Sequence, residues 1–226
     1  MLHSPESDLF ETYGFNPYQF SLSDDEMLDF HRRHVSYFAG CSKVLDLGAG
    51  RGFFLRALKE SGIAGLGVES HAESIAAGEK FAVDYLKIDI FQFLRREELR
   101  EVARQCDGVY CCHLLEHLEP AQVFELFRRV KENCAPNVRC RFITNNPEDL
   151  GVLGHNFWMD LTHRRLYPGK LLVAMAESQG FQHATWKAFD GRRRNLLGQM
   201  SWLLRRLWWG KHKGLPNLLL DCLISS

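Results

Sequence analysis

The chain has 226 residues and a mass of 26.1 kDa, with 46% hydrophobic and 25% charged residues. These values are typical of one soluble α/β domain with additions, and they exclude a mostly disordered chain. The 28 basic and 28 acidic residues balance, which argues against nucleic-acid binding because that binding needs a positive field. No apolar run reaches the roughly 20 residues of a membrane span, and no basic leader opens the chain, so we expect a cytoplasmic protein.

The first predicted element is a helix over residues 23–38, because Ser23 and Glu26 form a capping box. Aromatic side chains without a clear period precede it, and we treat residues 1–40 as a candidate lid. Beyond this segment, strand-like and helix-like stretches alternate. The expected strands span 44–47, 65–69, 85–88, 108–112, 139–144, 181–189 and 216–224. The expected helices span 53–60, 72–81, a charged stretch ending near 105, 120–133 and a segment starting near 168.

This alternation predicts an α/β fold with a doubly wound, Rossmann-like sheet of seven strands, mostly parallel, with helices on both faces. In such a sheet, ligands bind outside the carboxyl ends of the strands, near the point where the strand order reverses. Residues that follow the strands are therefore the first candidates for a binding site.

The stretch VLDLGAGRGFF, residues 44–54, places three glycines directly after the first strand. A dinucleotide-binding turn reads G-x-G-x-x-G, and Phe53 occupies the position of its third glycine. Asp46 lies just before the turn, where a carboxylate repels a pyrophosphate and attracts a cationic amino or sulfonium group. Glu69 ends the second strand, where a carboxylate can accept both hydroxyls of a ribose. NAD and adenosyl ligands share this ribose contact, whereas the glycine pattern and Asp46 favour S-adenosyl-L-methionine (SAM) over NAD.

With these residues the chain resembles the class I SAM-dependent methyltransferases, particularly the small-molecule group that includes quinone-methylating enzymes. The resemblance covers about residues 40–190 and includes VLDLGAGRG, GVES, KIDIF and DGVYCCHLLEHL. It implies SAM as the cofactor and a last strand that runs antiparallel, with Glu69 on the ribose and Asp89 at the adenine amino group. The cofactor-binding residues that it implies are Asp46, Gly48, Ala49, Gly50, Glu69, Ser70, Asp89, Ile90, His113 and Leu114.

The segment HNFWMDLTHRRLYP, residues 155–168, follows the fifth strand, where substrate-binding insertions enter this fold. It resembles the F-W-x-D-x-T-H-x-R-x-Y stretch of methyltransferases associated with bacterial surface polysaccharides. The resemblance implies a substrate insertion at 148–167 and a hydroxyl acceptor on a small molecule, such as a surface-glycan sugar or a lipid-linked substrate. The acceptor-binding candidates are His155, Trp158, Arg164 and Tyr167.

An alcohol acceptor benefits from a base that takes its proton. We expect His163 to be this base, with Asp160 and His117 as the other catalytic candidates. Each has a structural alternative: His163 bonds a backbone carbonyl, Asp160 pairs with Arg164, and His117 opens a helix. The seven cysteines form no C-x-x-C pair, and no His/Cys/Asp cluster shows ligand spacing, so we expect no metal.

Residues 191–214 carry seven positive charges and no acid, with leucines and tryptophans at helical spacing. Such a helix either makes peripheral membrane contact through residues 192–213 or packs on the core. The expected organisation is a lid at 1–40, a SAM-binding core at 41–190, and the basic helix with the final strand at 191–226. Two rival functions stay open: an NAD-dependent oxidoreductase, and a non-catalytic SAM-binding protein that docks on membranes. The sequence carries no prediction of oligomeric state.

Overall fold

The structure, a computed structural model, describes residues 22–189 and 215–224. Its strands are β1 Lys43–Leu47, β2 Ala64–Glu69, β3 Asp84–Lys87, β4 Gly108–Cys112, β5 Arg139–Asn145, β6 Phe181–Phe189 and β7 Asn217–Ile224. They form one seven-stranded sheet in the order β3-β2-β1-β4-β5-β7-β6. Strand β7 runs antiparallel to β5 and β6, and the pairs among β1 to β5 are parallel. The predicted sheet with one antiparallel strand is confirmed.

Helices cover both faces of this sheet. They are α1 Asp24–Val35, α2 Phe53–Glu60, α3 Ala72–Gly78, α4 Ile90–Arg95, α5 Glu97–Arg104, α6 Pro120–Asn133, α7 Leu150–Gly154 and α8 Gly169–Ser178. Alternate residues of β1 enter different apolar clusters, because successive strand residues point to opposite faces. Leu45 and Leu47 pack in the cluster that contains α6 and α8, whereas Val44 packs in the cluster of α1 and α2.

Two predicted helices differ from the observed ones in detail. The charged helix expected up to residue 105 is divided into α4 and α5 at Arg96, whose backbone is extended (φ −82°, ψ 116°). The helix expected over 72–81 ends at Gly78 and continues as the 3-10 turn Glu79–Phe81. Both differences leave the order of elements unchanged, so the prediction of the fold does not depend on them.

The strand order reverses between β1 and β4, which lie side by side at the centre of the sheet. The turn after β1 and the turn after β4 therefore meet at one edge, where the carboxyl ends of both strands open a crevice. The segment between β5 and α8 enters at the same edge and contains α7 and the 3-10 turn Asn156–Met159. This geometry gathers the predicted cofactor and acceptor residues in one region.

The predicted lid and basic helix fall largely outside the described part of the chain. Of residues 1–40, the structure describes α1 and the 3-10 turn Ser36–Phe38, and α1 buries Leu28, Phe30 and Val35 in the cluster that it shares with α2. A lid role for this segment stays a prediction. The prediction for residues 191–214 lies outside the described residues. Among the residues that the structure describes, no helix combines the length and the apolar character needed to cross a membrane.

Two histidines of α1 are buried against the sheet, with 8% exposure for His31 and 1% for His34. The Nδ1 atom of His31 lies 3.0 Å from the hydroxyl of Tyr110, and the buried Nε2 of His34 has no hydrogen-bond partner among the described residues. Burial lowers the pKa of His31 to about 3 and the pKa of His34 to about 2. The folded protein therefore holds both imidazoles neutral at mildly acidic pH.

Acidification should reduce the free energy of unfolding, because the unfolded chain binds protons at His31 and His34 that the folded chain excludes. The folded-state pKa values lie below the ordinary one, so stability is full above about pH 6.5 and falls as the pH drops below it. Each histidine contributes a slope of about 1.4 kcal/mol per pH unit in that range. Urea unfolding over a series of pH values measures this slope.

The substitution His34→Phe should reduce the slope of the free energy of unfolding against pH by the contribution of one histidine. A phenyl ring does not titrate, and it packs among Phe30 and Phe189 as the imidazole does. The matched control His155→Asn changes an exposed histidine and should leave the slope as it is. An unaltered slope in His34→Phe would contradict the assignment.

Candidate functional site

The turn after β1 depends on left-handed backbone at its three glycines. Gly48, Gly50 and Gly52 have φ values of +78°, +50° and +74°, a region that favours glycine. A Cβ atom at Gly52 would collide with the hydroxyl of Tyr85, and that hydroxyl donates a hydrogen bond of 3.2 Å to the Gly50 carbonyl. The amides of Gly48 and Ala49 donate to the Val68 carbonyl over 3.0 and 3.2 Å. The glycine pattern thus bends the chain tightly over the end of β2.

Glu69 joins the turn after β1 to the turn after β2. Its Oε2 atom accepts a hydrogen bond of 2.8 Å from the amide of Gly50, and its Oε1 atom accepts two bonds of 2.8 Å from the amides of Ser70 and His71. A carboxylate has about four acceptor positions, so three amide donors leave capacity for a further donor. The ribose contact predicted for Glu69 is compatible with this arrangement and stays a prediction.

Asp46 is an acidic side chain buried inside the sheet, with 2% exposure. Burial raises the pKa of its carboxyl well above the ordinary range, and the negative charge of Glu69 raises it further. Ionising this carboxyl in the folded protein is therefore costly unless a cation lies next to it. A cationic ligand in the crevice would compensate for the cost of ionising this group, which is the role that the sequence predicts for it.

Two apolar side chains from neighbouring turns meet at Gly48. A Cβ atom built there would lie 3.6 Å from Cδ1 of Ile90 and 3.9 Å from Cδ1 of Leu114. Asp89 precedes Ile90 and caps α4, since its Oδ1 accepts a hydrogen bond of 2.9 Å from the amide of Gln92. The structure thus brings the predicted cofactor residues of three different turns to one place.

The turn after β4 presents an imidazole supported by a buried carboxylate. His113 has a left-handed backbone (φ +54°), and its Nδ1 lies 2.7 Å from Oε1 of Glu116. The imidazole side chain is 39% exposed, whereas Glu116 is fully buried. Glu116 also accepts hydrogen bonds from the Thr144 hydroxyl at 2.8 Å and from the Asn145 amide at 3.2 Å.

Charges on these two groups stabilise each other. Burial acts to raise the pKa of Glu116, but the nearby His113, through its charge and hydrogen bond, outweighs burial and lowers that pKa to about 2. Burial likewise acts to lower the pKa of His113, and the Glu116 carboxylate outweighs it and raises that pKa above the ordinary value. The sequence analysis did not select Glu116. Its spacing of three residues from His113 was the available signal of a pair.

The three catalytic candidates lie together, although His117 is far from the other two in the sequence. Asp160 Oδ2 lies 3.8 Å from Nε2 of His163, and the ring centroids of His117 and His163 are 4.7 Å apart. Thr162, which the sequence analysis did not select, connects them: its hydroxyl lies 2.6 Å from Asp160 Oδ1 and 2.8 Å from Nδ1 of His117. The Nδ1 atom of His163 lies 2.7 Å from the Phe157 carbonyl.

The sequence analysis gave a structural alternative to catalysis for each of these three residues, and the structure agrees with only some of them. His163 does bond a backbone carbonyl, as one alternative expected. Asp160 contacts Thr162, and Arg164 pairs instead with Glu119 at 3.2 Å. His117 lies in the 3-10 turn Leu115–His117, and the following helix begins only at Pro120.

Protonation in this cluster follows from burial and hydrogen bonds. Burial acts to raise the pKa of Asp160, but hydrogen bonds from Thr162 lower it below the ordinary value. Burial lowers the pKa of His163 below the ordinary value, although the bond to Phe157 opposes this. At neutral pH the cluster therefore contains an ionised carboxylate beside a neutral imidazole.

The predicted acceptor residues do not share one environment. His155 and Arg164 are exposed, and Trp158 is 64% exposed with its indole N–H donating to the Leu153 carbonyl at 2.9 Å. Tyr167 is fully buried, and its hydroxyl donates a hydrogen bond of 2.6 Å to the Leu118 carbonyl. In this structure Tyr167 anchors the insertion to the core and does not line a surface.

Comparisons with known proteins agree with this geometry. A family described as a methyltransferase domain matches residues 21–185, and no curated protein matches the chain. A SAM-dependent methyltransferase from Archaeoglobus fulgidus superposes with a TM-score of 0.72 at 25% identity, over 91% of this chain and 96% of that one.

Two further solved structures share the fold at lower identity. A SAM-dependent methyltransferase from Mesorhizobium loti superposes with a TM-score of 0.62 at 16% identity, over 87% of this chain and 99% of that one. A phosphoethanolamine N-methyltransferase from Haemonchus contortus, solved with S-adenosylhomocysteine, has a TM-score of 0.62 at 13% identity, over 92% of this chain and 59% of that one.

The substitution Glu116→Gln should lower the pKa of His113, because a neutral amide replaces the carboxylate that stabilises the imidazolium. NMR titration of the histidine ring protons measures this pKa. The control Glu119→Gln removes an exposed carboxylate that pairs with Arg164 and should leave the midpoint of His113 unchanged. Equal midpoints in Glu116→Gln and the unmodified protein would show that the pair does not set this pKa.

Proposed function

Because this chain belongs to the class I SAM-dependent methyltransferases, with S-adenosyl-L-methionine as cofactor, we propose that it methylates a hydroxyl, or a similar nucleophile, of a small polar molecule. The acceptor class that we propose is a sugar, such as one of a surface glycan or of a lipid-linked precursor. The alternative of an NAD-dependent oxidoreductase does not hold, since the family and its structural relatives use SAM.

The cofactor supplies an activated methyl group on a sulfonium, so the protein mainly aligns the acceptor and excludes water. We propose that Glu69 accepts hydrogen bonds from the ribose and that Asp89 meets the adenine amino group. Ile90 and Leu114 would flank the adenine ring, since both contact the position of Gly48. Asp46 would face the cationic part of the ligand, whose positive charge would lower the raised pKa of its carboxyl.

The observation that carries the acceptor proposal is the double role of Glu116. Its carboxylate bonds His113 in the turn after β4, on the cofactor side of the crevice. Its backbone carbonyl accepts the amides of Arg164 and Arg165 at 2.8 and 3.1 Å, on the insertion side. One buried residue therefore holds the candidate acceptor segment next to the candidate cofactor turn. A methyl transfer requires this proximity of acceptor and cofactor.

We assign the base to His113, although the sequence analysis favoured His163. The side chain of His113 is 39% exposed at the crevice, Glu116 holds its Nδ1 atom, and Asn217 also hydrogen-bonds to the ring, so the imidazole has a fixed position beside the proposed cofactor turn. Its raised pKa moves it towards the working pH, which is favourable for proton transfer. His163 is only 11% exposed and stacks on Phe157, which makes it less accessible to an acceptor.

The surface of the insertion supports an acceptor with both polar and apolar parts. Leu150, Leu153, Trp158 and Leu161 are exposed by 48%, 48%, 64% and 63%. Exposed apolar side chains in such a group mark an interaction surface more often than a chance arrangement. The neighbouring His155 and Arg164 provide polar groups for a sugar or an anionic linkage.

The same apolar group also favours the second candidate, a SAM-binding protein that docks on a membrane without turnover. Incubation with methyl-labelled SAM and extracts of the source cell separates the two functions. Label that enters a hydroxyl-bearing small molecule or glycan supports the methyltransferase proposal. Co-sedimentation with liposomes and no label in any acceptor would support docking instead.

The substitution Glu69→Gln should weaken SAM binding by roughly 10- to 100-fold, because hydrogen bonds to a charged acceptor contribute about 1.5–3 kcal/mol. Isothermal titration calorimetry measures this affinity. Glu73→Gln is the matched control, since Glu73 lies in the next helix with a side chain 73% exposed. If both variants bind SAM as the unmodified protein does, Glu69 does not hold the ribose.

The substitution His113→Asn should reduce turnover by roughly 100-fold or more, because loss of a general base costs about 10²–10⁴ in rate. Asparagine tolerates the left-handed backbone of this position, so the turn should be preserved. Label transfer from SAM to the acceptor measures turnover, and SAM titration checks the cofactor site. In the unmodified enzyme, activity should rise as the pH increases through the raised pKa of His113. If His113→Asn shows the same pH dependence, another residue is the base.

A further inference from the structure

We propose that His117, Asp160 and His163 form a binding site for a divalent first-row transition metal such as Zn²⁺. One potential ligand atom from each residue lies within 4.8 Å of the others. The sequence analysis expected no metal, because His117 and the other two ligands are far apart in the sequence. The proposal concerns this cluster alone and stands whether or not the acceptor is a hydroxyl.

The type of ligand fits this class of metal. Two imidazoles and one carboxylate are a common set for Zn²⁺ and for other first-row ions, and they leave positions open for water or another ligand. Ligand atoms about 2.1 Å from one tetrahedral ion lie about 3.4 Å from each other. Closing the observed cluster onto an ion therefore requires a shift of about 1 Å or less for each side chain, which rotation of these side chains provides.

The hydrogen-bond network assigns the tautomers of both imidazoles. A carbonyl only accepts, so the bond of 2.7 Å to Phe157 places a proton on Nδ1 of His163. A carboxylate also only accepts, so the Thr162 hydroxyl donates to Asp160 over 2.6 Å and must accept from Nδ1 of His117 over 2.8 Å. In the neutral form of each imidazole, Nε2 is then the nitrogen with a lone pair, and this is the form of histidine that binds a metal.

The partners of these ligands match the outer shell of known metal sites. A metal-binding histidine usually donates its second N–H to a carbonyl or to a carboxylate-linked group, and this bond fixes its orientation. Phe157 does this for His163, and Thr162 does it for His117 while also holding Asp160 through its hydroxyl and its amide. Each of the three ligands therefore has a hydrogen-bond partner that holds it near the position that a metal requires.

The backbone also brings the ligands together in advance. The carbonyl of Glu116, next to His117, accepts the amide of Arg164, next to His163, over 2.8 Å. Tyr167 adds a second connection between the same two segments through its bond to Leu118. Since the chain positions the ligands without the ion, binding need not order the segment, which favours affinity.

Metal titration tests the proposal. Protein treated with a chelator and then freed of it should bind one Zn²⁺ per chain in isothermal titration calorimetry. Asp160→Asn and His163→Asn should each weaken binding by at least about 100-fold, and Thr162→Val, which removes only the supporting hydroxyl, by about 10- to 100-fold. The matched control His155→Asn alters an exposed histidine of the same insertion and should bind as the unmodified protein does.

Co²⁺ in place of Zn²⁺ distinguishes this site from the cysteines, all of which are free thiols. Nitrogen and oxygen ligands give visible d–d bands without the thiolate charge-transfer band, and Asp160→Asn should abolish these bands. Circular dichroism of each variant checks that it is folded. A thiolate band, or equal Zn²⁺ affinity in Asp160→Asn, Thr162→Val and the unmodified protein, would overturn the proposal. The cluster would then only hold the insertion in place through its hydrogen bonds.

Discussion

The functional region depends on a buried carboxylate at Glu116. A fully buried charge is costly unless opposite charges and hydrogen-bond donors compensate for it. His113, Thr144 and Asn145 compensate for it from the ends of β4 and β5. The backbone carbonyl of the same residue binds the insertion. The crevice and the segment over it are therefore coupled, since a shift of the insertion would strain the residue that holds the imidazole of His113.

Two buried acidic groups, Asp46 in β1 and Glu116 after β4, have pKa values shifted in opposite directions. Burial and the charge of Glu69 raise the pKa of Asp46, whereas His113 outweighs burial and keeps Glu116 ionised. The difference arises from the neighbouring charge, since both side chains are withdrawn from water. The region thus contains one buried acid with a raised pKa, Asp46, and one buried acid that is paired with His113, Glu116. A cationic cofactor and a proton acceptor are compatible with such a site.

The proposed base and the proposed metal ligands occupy adjacent turns with separate tasks. His113 faces the crevice with Glu116 as its partner, and the cluster of His117, Asp160 and His163 closes the insertion onto the loop after β4. Thr162 is central to the second group because a single hydroxyl orients one imidazole and one carboxylate. A divalent ion in that cluster would stiffen the insertion at a point next to the proposed site of transfer.

The sequence by itself determined the fold and the tight glycine turn after β1. Both depend on local signals: alternating apolar segments, the glycines of VLDLGAGRG, and acids at the ends of strands. Only the tertiary structure decided the pairing of His113 with Glu116, the burial of Tyr167 and the meeting of His117 with Asp160 and His163. The contacts of Tyr167 and His117 join segments that the chain separates by whole helices and strands, whereas His113 and Glu116 lie three residues apart and pair because of how the turn after β4 folds. Side-chain direction and burial, which set them, follow from packing and are not encoded in residue spacing.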